Sequence, residues 1–250
     1  MDALRIAVVA DIHGNLAALD AVIEDIAAAS PDLVVNCGDC VSGPIEPAGT
    51  AERLLGLGWP TVRGNHDRYL VTLEPEAMKA TDRVAYDRLA QRHFDWLETL
   101  PMTMEVAPGV LMFHATPADD RPYLTDAVAE ERIVLAAPEA VAEAIAGVAG
   151  ELFLFGHSHV PRQVRLPAGA LLVNPGSVGL QAYHDEHPVP HRVEVGSPHA
   201  RYAIVEGRAG LWRVEQRAVP YDWEHSARLA DELGRPDWAY ALRTGYAAPA

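Results

Sequence analysis

The sequence predicts an α/β protein, and three observations predict it. Residues 4–10, 33–35 and 60–62 are apolar, strand-like runs separated by segments of helical period, which is a parallel strand–helix–strand start. After Pro101 the runs become short and are parted by turn residues, the pattern of a second, more antiparallel sheet. Several of these runs end directly in Asp, Asn or His, and strand ends in an α/β protein point into one crevice.

The elements follow in order. Residues 4–10 lack a basic leader and end at Asp11, so they read as a buried first strand and not a signal peptide. Asn15 opens a helix whose apolar residues Leu16, Leu19, Val22, Ile23 and Ile26 form one stripe, with Asp20, Glu24 and Asp25 off it. Ser30-Pro31 stops that helix. A strand at 33–35 leads to Gly38-Asp39, a helix covers 47–57, and a strand at 60–62 leads to Gly64-Asn65. Residues 74–100 are helical, with a fresh start at Thr81-Asp82. Strands are expected at 102–106, 110–113, 152–155, 163–166, 171–173, 202–205 and 211–216, with turns at 108–109, 167–169 and 207–210. One helix intervenes at 138–146, with Pro138 in its first position. Residues 184–199, with four histidines and three prolines, read as a loop, and helices at 222–233 and 237–243 form a tail. The expectation is a single domain over residues 1–250, its helical tail starting near residue 222.

Composition bounds the function. The chain has 250 residues, 49% of them hydrophobic and 22% charged, which suits a globular core. No apolar run reaches the roughly 18 residues a membrane span needs, so no membrane partner is expected. The net charge of −15 repels a polyphosphate backbone, so no long nucleic acid is expected. A small phosphorylated substrate stays open, because bound cations invert the local field. The two cysteines, Cys37 and Cys40, have a redox-like spacing, but Gly38-Asp39 lies between them; they read as a buried strand-end thiol and a loop thiol in a reducing, cytoplasmic setting.

Five segments carry metal-binding chemistry: Asp11-Ile12-His13, Gly38-Asp39, Gly64-Asn65-His66-Asp67, His114 and Gly156-His157-Ser158-His159. Five of the eleven histidines lie in them. Carboxylate, imidazole and amide oxygen suit first-row divalent metals. Each segment alone has an ordinary explanation: a helix cap for Asp11, a turn for Asp39, a solvated pair for His66 and Asp67, a structural imidazole for His114. His157 and His159 are harder to explain so, since two imidazoles leaving a buried strand together bury poorly without partners. The ordinary explanations would have to hold five times, in order, at strand ends. Within the set, Asn65 offers a neutral oxygen, His66 reaches toward substrate, and Asp67 is placed to orient the His66 imidazole.

Taken together, these segments resemble the calcineurin-like metallophosphoesterase superfamily, in its small bacterial and archaeal phosphodiesterase-like branch, and Asn174-Pro175-Gly176-Ser177 resembles a loop of that branch. The resemblance implies a four-layer α/β/β/α sandwich with two facing mixed sheets. It implies two divalent metal ions, drawn from Mn, Fe, Zn or Ni with Mn expected to support activity. Asp11, His13, Asp39 and His159 would hold one ion; Asp39, Asn65, His114 and His157 would hold the other. His66 would stand beside the phosphate with Asn65, as proton donor or clamp. Such a pair of ions acidifies a shared water, and the resulting hydroxide attacks the phosphorus in line.

The sequence also departs from parts of the superfamily. Protein phosphatases and symmetrical dinucleoside tetraphosphatases carry Asp and Arg soon after the Gly-Asp, whereas Cys40-Val41-Ser42-Gly43-Pro44 has no arginine to grip a phosphate dianion. Phosphodiester hydrolysis is therefore expected first, with a phosphomonoesterase or nucleotide pyrophosphate hydrolase as the alternative. A non-catalytic scaffold would be expected to lose ligands, and the set is complete. Arg63, Arg68, Arg121 and Arg162 lie near the motifs but read as surface residues. His184, His187, His191 and His199 are expected to be solvated, since their spacing matches no zinc pattern.

Overall fold

The computed structural model describes residues 3–208 and 210–249. Strand β1 (Leu4–Val9) leads into helix α1 (Leu16–Ala29) and then β2 (Leu33–Asn36), which pairs with β1 in parallel. Asn15 caps α1, its side chain accepting from the Ala18 amide at 3.2 Å. Four helices follow: α2 (Pro47–Leu57), α3 (Asn65–Thr72), α4 (Ala80–Tyr86) and α5 (Gln91–Thr99). Next come β3 (Thr103–Ala107), β4 (Val110–Phe113), β5 (Asp126–Ala129), β6 (Arg132–Leu135), α6 (Pro138–Ala144), β7 (Leu152–Leu154), β8 (Arg162–Arg165) and β9 (Leu171–Asn174). The chain ends with β10 (Ala182–Asp185), β11 (His191–Glu194), β12 (Ala200–Arg208), β13 (Leu211–Val219), α7 (Trp223–Glu232) and α8 (Pro236–Thr244).

Four layers follow from alternation along the strands, since successive side chains point to opposite faces. Ile6, Val8 and Ala10 face a core shared with Val110, Met112, Leu152, Leu154, Leu171 and Val173. That core lies between a sheet ordered β13–β12–β1–β2 and a sheet ordered β3–β4–β7–β9–β8. Ala7 and Val9 face the other way, onto Leu19 and Val22 of α1 and Leu54 of α2. On the far side, Phe113, Phe153, Phe155 and Leu172 pack against Val141 and Ile145 at α6. Each large side chain buried in this way contributes roughly 1.5–3 kcal/mol of transfer free energy. Both sheets are mixed: β4, β7 and β9 run parallel, and β3 and β8 pair antiparallel at the edges.

Several expectations change. The strand at 60–62 shrinks to a single parallel bridge between Asn36 and Thr61, as the chain turns away at Arg63, whose amide donates to Pro101. The strands near 202–205 and 211–216 are longer and join the first sheet, where β12 pairs antiparallel with β1, Val205 opposite Ile6. That pairing closes one edge of β1, whose other edge pairs with β2. The helical stretch 74–100 breaks into α4, α5 and a short 3-10 turn at Pro75–Ala77.

A third sheet, ordered β10–β11–β6–β5, was not expected at all. β5 and β6 form a hairpin through Glu130 and Glu131, both with positive φ, at 50° and 59°. That is the geometry of a two-residue hairpin turn, which Asn-Gly usually signals and Glu-Glu does not. β11 and the end of β10 lie within the expected loop at 184–199. The tail helices pack on β10 through Ala227, Ala230, Trp238 and Leu242. Among the described residues, no helix is long and apolar enough to cross a membrane.

Candidate metal centre

The loops after β1, β2, β4 and β7 converge, bringing Asp11, His13, Asp39, His114 and His159 together as buried residues. Two groups meet closely enough to hold a cation: Asp11, His13 and His159, and Asp11, Asp39 and His114. The Asp39 carboxylate stands between two imidazoles, with Oδ2 3.3 Å from His114 Nε2 and 3.7 Å from His13 Nε2. Its Oδ1 accepts from the His66 amide at 2.9 Å, at the start of α3. Asn65 Oδ1 lies 3.1 Å from His114 Nε2. His157 stays outside both groups. Its Nε2 faces the Arg121 carbonyl at 2.6 Å, which leaves Nδ1 as the ring nitrogen without that partner.

The backbone at this centre is unusual. Eight described non-glycine residues have positive φ, and five of them are Asp11, His13, Asp39, His157 and His159. Such residues cost of order 1–3 kcal/mol each and persist only where their surroundings hold them. Close backbone approach makes the rest possible. A methyl group on Gly64 would collide with the Asp39 amide and carboxylate, so the loops after β2 and before α3 can meet only through glycine.

The donor set fits cations, and hydrogen bonding shows why. His13, His114 and His159 each direct Nδ1 at a backbone carbonyl, of Ser42, Cys37 and Leu180, at 2.8, 2.8 and 2.6 Å. A carbonyl only accepts, so Nδ1 carries a proton in all three, and in the neutral imidazoles of His13 and His159 Nε2 is left with a lone pair. Yet His13 Nε2 and His159 Nε2 lie 3.1 Å apart. Two lone pairs at that distance repel unless a cation lies against both. Buried polar atoms that face one another without a donor are rare in proteins.

Charge in the centre is unevenly divided. Burial, with the Asp39 charge beside it, pushes Asp11 up to about 8. Burial works the same way on Asp39, but the His114 and His66 charges overcome it and hold that carboxyl well below its usual range. Burial lowers His13 and His157 to about 4 and puts His159 well below its ordinary value. His114 is also opposed by burial, but the Asp39 charge carries it up to about 10. Bare carboxylates here are thus balanced by protons on Asp11 and His114, which a bound cation would displace.

His66 is half-buried at the edge of the centre, and Asp82 on α4 holds its Nδ1 at 2.6 Å. Burial opposes a charge on this imidazole, but Asp39 and Asp82 together raise it to about 9. Asp82 also accepts from Ser42 Oγ at 2.5 Å, and its Oδ2 has no partner. Thr81-Asp82 was read only as a helix start, and only the fold brings Asp82 against α3. The expected role of Asp67 is corrected accordingly. Its carboxylate accepts from the amides of Asp39, Cys40 and Gly64 at 2.8, 2.9 and 3.0 Å, which ties the loops after β2 and before α3 together instead of orienting His66.

The centre opens into a cleft of about 1020 Å³. β5 and β10 form one wall, with Tyr123 and Tyr183; α4 and α8 form another, with Arg235 and Trp238. Tyr183 sits edge-on to His159 and Trp238 edge-on to His13, with ring centres 4.7 and 6.2 Å apart. The last helix, α8, is therefore part of the site. The histidines of residues 184–199 are not all solvated as expected: His191 is buried with Nε2 2.9 Å from Tyr123 Oη, and His184 and His187 line the cleft. Arg121 pairs with Asp119, Arg68 with Asp120 and Arg162 with Asp126. Cys37 and Cys40 are both buried and free, and burial raises both thiols.

The family model described as "Calcineurin-like phosphoesterase superfamily domain" matches residues 4–195. An uncharacterized protein of Methanocaldococcus jannaschii is 26% identical over 93% of this chain and 94% of its own. The crystal structure of a metallophosphoesterase from Sphaerobacter thermophilus superposes with a TM-score of 0.76 at 26% identity, covering 98% of this chain and all of that one. A hypothetical protein from Pyrococcus horikoshii has the same fold, with a TM-score of 0.75 at 18% identity over 98% of this chain and 100% of its own.

Proposed function

This chain belongs to the calcineurin-like phosphoesterase superfamily, and we propose that within it the protein is a hydrolase of small phosphodiesters that works with two divalent cations, manganese for activity. Asp11, His13, Asp39 and His159 hold one cation, and Asp39, Asn65, His114 and His157 the other. The observation that carries this reading is the set of imidazole Nε2 atoms and carboxylate oxygens turned toward each other around Asp39. When bound, the cations supply Lewis acidity toward a phosphoryl oxygen and toward water.

The chain's own residues do the rest. Asp82 fixes His66 by Nδ1, so Nε2 is the nitrogen offered to the cleft. Asp82 against Nδ1 favours a protonated imidazole, whose Nε2 can give its proton to the departing oxygen. Asn65, at the start of α3, also lines the cleft. The walls bearing Tyr123, Tyr183 and Trp238 enclose the organic part of a small substrate.

Charge favours a diester over a monoester. Both arginines lining the cleft are paired, Arg121 to Asp119 at 3.1 Å and Arg235 to Asp237 at 2.7 Å, and the lysine on its lining, Lys79, offers a single point charge and no bidentate fork. A monoester dianion brings a second negative charge with no free guanidinium to meet it; a diester brings one. The net charge of −15 likewise disfavours long nucleic acids. The test is hydrolysis of an aryl phosphodiester and its matching monoester by chelated, reconstituted protein, with Mn²⁺ or with no metal. Metal-dependent preference for the diester is expected. Preference for the monoester would transfer the reading to a phosphomonoesterase, and metal-independent turnover would remove the cation centre.

A further inference from the structure

We propose that Ser158 and Asp126 are positioning residues that set the geometry of the two histidine ligands on either side of Ser158, an inference that rests on the two-cation reading. Ser158 is buried between His157 and His159, whose φ angles are 73° and 59°. Two left-handed residues around one ordinary residue do not hold themselves in place. Four contacts hold this loop from outside the ligand set. The Ser158 amide donates to the Gly156 carbonyl at 2.9 Å, and Asn174 Nδ2 donates to that carbonyl at 2.7 Å and to Ser158 Oγ at 3.2 Å. Ser158 Oγ donates in turn to Asp126 Oδ2 at 2.9 Å.

Asp126 comes from a different sheet. It opens β5, on the cleft wall, and its side chain is fully buried. Arg162 on β8 donates to Asp126 Oδ1 through Nε at 2.8 Å. Thr125 Oγ1 adds a longer contact to Oδ2 at 3.3 Å. Buried ion pairs contribute little net stability, since desolvation offsets the attraction, but they fix one arrangement over others. Here the fixed arrangement is an acceptor held at one point, onto which the serine between the two histidines hooks. The same pair joins the small sheet to the five-stranded sheet, so the cleft wall and the ligand loop share one anchor.

Partners that orient metal ligands typically change metal affinity by about 10–100-fold when removed. The experiment uses the full chain, freed of metal and titrated with Co²⁺. It reads the binding isotherm against a competing chelator, the visible absorption of bound cobalt, and the thermal midpoint of the metal-free protein. Ser158→Ala and Asp126→Asn are expected to weaken cobalt binding by about 10–100-fold and to alter the absorption bands, while Ser158→Thr, which keeps the hydroxyl, retains both. A folded Ser158→Ala protein with wild-type affinity and spectrum overturns the proposal, even if its midpoint falls, because that result leaves only a structural role. Should Asp126→Asn not fold, Ser158→Ala decides alone. Wild-type protein that binds no cobalt would instead overturn the metal centre itself, a result distinct from the first.

Discussion

Asp82 grips His66 across two helices, Oδ1 to Nδ1 at 2.6 Å, while Asp67, next to His66 in sequence, turns away to three backbone amides. The neighbour in the chain therefore builds the loops, and the residue sixteen positions on orients the imidazole. The two aspartates should fail differently when removed.

Asp82→Asn is expected to leave metal content unchanged and to slow hydrolysis of diesters with poor leaving groups by about 10²-fold, with little loss for good ones, since proton donation matters most when the departing oxygen is basic. Rates across a leaving-group series check this. An equal loss for every leaving group would mean that Asp82 does not act through His66.

Asp67→Ala is expected to destabilise the fold by about 3 kcal/mol or more, because three buried amides lose a charged acceptor. Urea unfolding of the metal-free variant measures it. Wild-type stability combined with slow turnover would return Asp67 to the catalytic role expected from sequence.

Asp39→Ala is expected to lose metal and activity together, since that carboxylate faces both His13 and His114. Metal analysis of the purified variant and turnover with added Mn²⁺ check it, and normal turnover would contradict the centre as drawn.

A pH dependence of stability is expected at Asp25, away from the centre. Burial works to raise its pKa, but the Tyr202 hydroxyl and Arg217 outweigh burial and hold it below the ordinary value. Its folded value is thus depressed. The stabilisation is present above the unfolded value of about 3.9 and is lost as pH falls through the folded one. The gap between wild-type and Asp25→Asn thermal midpoints should be constant from neutral pH to about 5 and close below about 4. A gap that widens on acidification would reverse the sign.

The residues of the candidate centre were legible because most are chemically distinctive side chains at the end of an apolar run, and strand ends converge by the geometry of the fold. Asp82 was not, because its partner is set by how α4 packs on α3, and Thr81-Asp82 looks like any helix start. The small sheet was hidden for two reasons. Glu130-Glu131 makes a hairpin turn without turn residues, and the His and Pro content of 184–199 masks β10 and β11. The facing sheets were foreseen, but β12 and β13 were assigned to the wrong one. Strand pairing depends on which edge lies open, which local pattern does not encode.

The place of β1 in its sheet has a consequence for how the protein is made. β1 leaves the ribosome long before its antiparallel neighbour, which comes from residues 200–208. Until then one whole edge of that apolar strand has no mate, and unmated edges recruit other chains. The nascent protein must therefore wait for β12 before the strand that leads to Asp11 is sealed. A chaperone that shelters β1 until β12 arrives would raise yield without touching the finished fold.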